Sequence, residues 1–316
     1  MGESAGGASV MHQITAYGGE GSIPFQKAIP QSPAFQPLVP EQSKAIFAEI
    51  LRNASLVANT SITSAEELRA LPFEALYATN VIVTALSQYG SFTFGPAVDP
   101  SNGSFVPDFP YRLLAEGKHH NVSVMAGQNF DEGLLFTPPF VQSEAIYTEA
   151  LELQFPTANS SVISTITDVL YPPVFDGTYG YSNYIGRTAL FLGDLIVNCN
   201  AHILASALPS GYAYRFTVPP ALHAQDVAYT FFNGDTTTLN DGFPVDRTLA
   251  AAFQTYITNF AMTGKPTAEG LQPFVVYGSN ATVSNIGLTN LGGHSKDPAA
   301  KPACTFWNNA PYYTPA

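Results

Sequence analysis

The chain opens with MGESAGGASV, residues 1–10, and Gly2-Glu3-Ser4-Ala5-Gly6 within it spells G-x-S-x-G. A serine hydroxyl attacks poorly until a positioned histidine removes its proton. The histidine in turn needs a carboxylate to fix its tautomer and stabilise the imidazolium. The pentapeptide supplies the presentation: a sharp turn from strand to helix lifts the Ser4 Oγ into the open. Gly2 and Gly6, two before and two after, are expected to relieve crowding between the strand and helix backbones. The same turn leaves the Ala5 N–H at a helix N-terminus, where it can donate to a developing oxyanion. The competing reading is a Gly-rich turn in which Ser4 only caps the helix that follows.

Composition narrows the class. At 316 residues and 46% hydrophobic content the chain can bury a large core. Its formal charge of −12, from 12 Lys+Arg against 24 Asp+Glu, leaves no basic patch to neutralise phosphates, which argues against nucleic acid as a partner. No run of 18 apolar residues occurs, and LFLGDLIVNCNAHILASAL (190–208) carries Asp194 and His202, so no transmembrane segment is expected. Two cysteines permit one bridge, Cys199 to Cys304, and N-x-[ST] recurs at Asn53, Asn59, Asn102, Asn121, Asn159 and Asn280. Together they point to secretion; chance sequons and two buried thiols are the alternative. No basic n-region with an apolar h-region stands at the start of the sequence.

Along the chain, residues 4–17 read as a helix opened by small residues, and QKAIPQSP (26–33) as a short strand. Two amphipathic helices follow, PEQSKAIFAEILRNA from Pro40 and SAEELRALPFEALYATNVIVTAL from Ser64, the second opened by a Ser64-x-x-Glu67 capping box. After a Pro/Gly-rich loop come the short helix YRLLAEG (111–117) and the strand NVSVMAGQ (121–128). Helices over 142–153, 160–170 and 182–206 precede the strand GYAYRFTV (211–218). A last long helix, VDRTLAAAFQTYITNFAMTG (245–264), stops at Gly264, and the tail holds the β-like pieces FVVYG and ATVSNI and the aromatic segment CTFWNNAPYY. Strands separated by helices imply a largely parallel sheet covered on both faces, with its chemistry at the carboxyl ends of the strands.

In the α/β-hydrolase arrangement that G-x-S-x-G serves, the acid follows the serine and the histidine comes last, each past a strand. Asp131 and Glu132 directly follow NVSVMAGQ. His12, His119 and His120 precede them; His202 lies in a helical pattern and His294 in a Gly/Ser loop. His223 follows a strand and a Pro-Pro turn.

On these motifs the chain resembles the type-B carboxylesterases, the family of cholinesterases and fungal lipases. GESAGGAS is similar to that family's nucleophile elbow, and FVPDFPYRLLAEGKHHNVSVMAGQNFDEGLLF (105–136) to its acid-bearing segment, in which the Glu before Gly is the acid. The resemblance therefore selects Glu132. ALHAQDVAYTFFNG (221–234) is similar to the histidine loop, with Ala224 where the family has Gly. Cys199 and Cys304 match positions that form a disulfide in the family, Ser32 matches a buried serine, and Glu3 matches a position that supports the site electrostatically. For Glu3, a carboxylate answering the helix dipole is the alternative.

The resemblance implies an incomplete α/β-hydrolase fold, residues 1–316 forming a single, N-terminally truncated domain that supplies only the sixth, seventh and eighth strands of the family's sheet. It implies a serine carboxylic ester hydrolase working through an acyl-enzyme with Ser4, Glu132 and His223, and Ala5 in the oxyanion hole. The partner expected is a small-molecule or lipid ester, with no cofactor and no metal, in an extracellular protein. The family's Gly-rich oxyanion loop has no match, since GGEGS at 18–22 follows the elbow, so little turnover is expected of these residues alone. The rival class is a non-catalytic, cholinesterase-like extracellular binding or adhesion module.

Overall fold

A computed structural model describes residues 1–35, 38–87, 89, 92–235, 237, 239–240 and 243–313. Nine strands occur among them: β1 (Gly2–Glu3), β2 (Lys27–Ala28), β3 (Pro30–Gln31), β4 (Ser123–Asn129), β5 (Gly211–Phe216), β6 (Leu239–Asn240), β7 (Phe243–Pro244), β8 (Thr282–Ile286) and β9 (His294–Lys296). Seven form the main sheet in the order β1-β3-β4-β5-β8-β9, with β2 also on β4; β6 and β7 make a separate ribbon. Every pairing in the main sheet is parallel except β8 with β9. This is the doubly covered parallel sheet expected from alternating strands and helices.

The central strands explain why. Along β4, Val124 and Ala126 point into one core cluster and Met125 into the other. Along β5, Ala213 joins the first cluster, and Tyr212, Tyr214 and Phe216 join the second. Strands apolar on both faces must be covered on both. The first cluster packs under the helices Ala5–Ile14, Pro110–Ala115, Cys199–Ala207 and Pro302–Asn309, and the second under Arg247–Thr263.

Several boundaries differ from the sequence reading. The helix expected over 64–86 is two, Ala65–Arg69 and Phe73–Ala85, because Pro72 cannot continue the first. The helix expected over 182–206 runs as Tyr184–Gly193, a π-helical turn Asp194–Asn198 and Cys199–Ala207. That stretch, Tyr184–Ala207, is long and apolar enough to cross a membrane, yet 78% of its apolar window is buried in the core. FVVYG lies outside any strand, and the aromatic tail is helical over Pro302–Asn309. Residues 199 and 304 form the disulfide that the resemblance implies, tying those two helices together.

Candidate active site

Ser4 sits between β1 and the helix Ala5–Ile14 at φ 56°, ψ −120°, a conformation an L-residue adopts only under constraint. The constraint is local. Its N–H donates to Gln31 O (3.0 Å), and its carbonyl accepts from Ala8 N–H (2.9 Å) and Ala34 N–H (3.0 Å). A Cβ on Gly2 would lie 2.4 Å from Gly6 O, so the first glycine is sterically required as expected. Gly6 is not required in that way, because a Cβ there meets nothing within 4 Å; the glycine the helix side needs is Gly7, whose Cβ would lie 2.5 Å from Gln31 O. Ala5 is exposed and opens the helix, so its N–H is among the donors that a first turn leaves without an intrahelical acceptor.

Glu132 comes off the carboxyl end of β4. Gly127 in that strand faces Tyr214 of β5, and a Cβ there would lie 2.0 Å from the Tyr214 ring. Gly133 lets the acid loop settle on helix Tyr184–Gly193, where a Cβ would lie 1.8 Å from Ala189 O. The acid loop is also stitched to the histidine loop: Asp131 N–H donates to Ala221 O (2.9 Å). His223 follows a cis Pro219–Pro220 bond, and Ala224 beside it has φ 70°, the left-handed region that explains glycine at this place in the family.

These loops bring three distant side chains into one line. His223 Nε2 lies 2.8 Å from Ser4 Oγ, and His223 Nδ1 lies 2.5 Å from Glu132 Oε2. Glu132 is 1% exposed, and its Oε1 accepts from Ser32 Oγ–H (2.7 Å), from the Asn129 backbone N–H and from Asn129 Nδ2 (3.3 Å). Asp131 does not reach His223; its Oδ1 accepts from Leu134 N–H (3.2 Å). Phe136 closes the ring's flank, 5.0 Å between centroids.

Charge is arranged around the imidazole. Burial pulls the His223 pKa down, but the hydrogen bond and charge of Glu132, with Glu3 and Asp226 beyond, outweigh it and leave it above the ordinary value. Glu3 places Oε1 3.5 Å from His223 Nε2, and that oxygen has no hydrogen-bond donor. Burial, reinforced by Asp226 and Glu132 and opposed by His223, raises the Glu3 pKa to about 7. Asp226, fully buried, escaped the sequence reading. It accepts from Tyr214 OH (2.6 Å), Gln31 Nε2 (3.1 Å) and Asn129 Nδ2 (3.3 Å), and so links β3, β4 and β5 behind the acid. No periodicity marks Asp226, Gln31 or Asn129. Only their position three residues past His223, or at the carboxyl ends of strands, hints at them.

The other histidines lie elsewhere. His12 is buried against Phe35, His120 contacts Ala16 O (3.2 Å), His202 contacts Tyr277 OH (2.6 Å) and His294 is exposed in β9. Of the six sequons, Asn59, Asn102, Asn121, Asn159 and Asn280 are exposed. Asn53 is 5% exposed and donates from Nδ2 to Glu49 O (2.9 Å), so its amide is not presented for glycosylation. Among the described residues the one group spaced to share a metal is Asp194, Cys199 and Cys304, and its two sulfurs are joined to each other.

Comparison with known proteins agrees with this geometry. The carboxylesterase family matches residues 1–307. The chain is 34% identical over 316 residues to the carboxylesterase patB of Penicillium expansum, covering 99% of this chain and 54% of that protein. It is 25% identical over 249 residues to the secreted lipase ARB07186/07185 of Arthroderma benhamiae, covering 74% of this chain and 44% of that protein. The chain thus spans about half the length of the curated relatives it matches. Among solved structures, Aspergillus niger EstA superposes with a TM-score of 0.78 at 20% identity, covering 98% of this chain and 63% of that one.

Proposed function

The chain belongs to the carboxylesterase family and has the α/β-hydrolase fold, and on that premise we propose that it hydrolyses carboxylic esters through an acyl-enzyme formed on Ser4. The observation that carries the reading is the unbroken line Ser4 Oγ, His223, Glu132, with both links at hydrogen-bond distance. Ser4 Oγ attacks the ester carbonyl while His223 Nε2 takes its proton. The Ala5 N–H donates to the tetrahedral oxyanion, and Glu132 holds the Nδ1 proton and stabilises the imidazolium. Collapse expels the alcohol, which receives the proton from His223. Water, deprotonated by the same imidazole, then releases the acid and restores Ser4. Glu3, next to the ring, adds negative potential that favours the imidazolium when it is ionised. The substrate class is a small-molecule or lipid ester.

The proposal extends to setting. One domain, a disulfide, five exposed sequons and a relative named a secreted lipase support an extracellular protein. The identified oxyanion donor is a single N–H, and loss of one such donor costs about 10²–10³ in rate. For that reason slow turnover is expected of these 316 residues by themselves.

Reaction with a fluorophosphonate probe, followed by hydrolysis of p-nitrophenyl acetate, tests the reading. Ser4→Ala should abolish labelling and cut hydrolysis at least about 10⁴-fold. Undiminished labelling of the Ser4→Ala variant removes the assignment, and a folded wild type silent to the probe favours the non-catalytic binding module.

A further inference from the structure

Buried and half-buried cations in this chain have carboxylate partners, with one exception. Arg187, 0% exposed, pairs with Glu144 (2.6 Å), and Arg112 pairs with Asp108 (3.4 Å). Arg215, half-buried on β5, has no carboxylate and no hydrogen-bond acceptor among the described residues; its guanidinium only stacks over the Phe130 ring at 4.3 Å. A charge withdrawn from water without a partner is costly, and a guanidinium presents a fork of donors suited to a planar oxyanion.

Arg215 lines a recess of about 60 Å³ with Gln128, Asn129, Phe130, Asp194, Asn198, Pro298, Ala299 and Lys301 among its walls. A second, independent vacancy in hydrogen bonding faces the same place. Gln128 is 3% exposed, its Nε2 is committed to Asp297 Oδ1 (2.9 Å), and its Oε1 has no donor. The nearby carboxylates are already answered: Asp194 by Lys301 Nζ (2.6 Å) and Tyr171 OH (2.8 Å), and Asp297 by Gln128, Tyr277 OH (2.7 Å) and Ala299 N–H (2.9 Å). The guanidinium is therefore the unbalanced charge of the recess. The volume suits a ligand of a few heavy atoms and excludes an acyl chain.

We propose that this recess, at the carboxyl ends of β4 and β5 and apart from Ser4, is a binding site for a small carboxylate-type oxyanion held by Arg215. An acid carrying one proton also satisfies Gln128 Oε1. The site stands on its own whether or not Ser4 is a nucleophile, because its test reads binding.

The purified protein is melted in rising acetate at constant ionic strength, with chloride making up the balance. The expected result is a saturable rise in Tm for the wild type, following RT ln(1 + [L]/Kd). Arg215→Met should give no acetate response while melting, without acetate, at or above the wild type, since it removes an unpaired buried charge. Should that variant fail to fold, Arg215→Lys keeps the charge but loses the fork, and acetate affinity by calorimetry should fall about tenfold or more. A response to acetate no larger than to chloride, or one that survives unchanged in either variant, overturns the proposal: the recess then holds water only.

Discussion

Single residues carry the clearest physical signatures. Ser4 occupies a constrained φ of 56° because both ends of its peptide are bonded to neighbouring backbone, and that is what turns its hydroxyl toward His223. Eight residues on, His12 shows the opposite use of burial. It is 6% exposed, its Nε2 has no partner, and burial lowers its pKa from 6.5 to about 4. A histidine held neutral in the fold but free to protonate when unfolded makes the unfolded chain bind more protons between those two values. Stability is then complete above pH 6.5 and falls as pH drops toward 4, by on the order of 3 kcal/mol over the window. Urea unfolding of His12→Leu against wild type at several pH values checks this: the variant should gain on the wild type steadily below pH 6.5. A difference between the two that does not change with pH rules the mechanism out.

At the scale of elements, the decisive contacts are backbone to backbone. The acid loop rests on helix Tyr184–Gly193 only because Gly133 has no side chain; a methyl there falls 1.8 Å from Ala189 O. Gly133→Ala should destabilise the protein by at least about 1–3 kcal/mol through overpacking and displace Glu132 from His223. Equilibrium unfolding and the rate of fluorophosphonate labelling read the two effects, and a variant unchanged in both contradicts the packing. This contact was only half legible. The Glu132-Gly133 pair is visible in the sequence, but the helix that demands the glycine lies more than fifty residues away. The same limit explains Gly6 and Gly7: the motif names the former, while the position of Gln31 O decides that the latter is the crowded one. Pro72, by contrast, breaks its helix through its own ring, so that boundary could have been read locally.

Over the whole molecule, the bridge between residues 199 and 304 closes 105 residues of chain and joins two helices on the same face of the sheet. Replacing both cysteines with Ala should cost about 2–5 kcal/mol, because the unfolded chain recovers the freedom the loop denied it. Thermal unfolding of that variant against the oxidised wild type measures the loss, and an unchanged Tm contradicts it. The order of strands and helices, the parallel sheet and the three side chains Ser4, Glu132 and His223 as site candidates were all readable from the sequence. Apolar periodicity, strand-ending turns and a short motif are local, and a match to a family needs only ordered residues. The buried network of Asp226, Asn129, Gln31 and Tyr214, the inaccessibility of Asn53 and the unpaired guanidinium of Arg215 were decided by tertiary structure alone. Whether a polar group finds a partner or water depends on what the fold brings within about 3 Å of it, and residues far apart in a sequence carry no local mark of that distance.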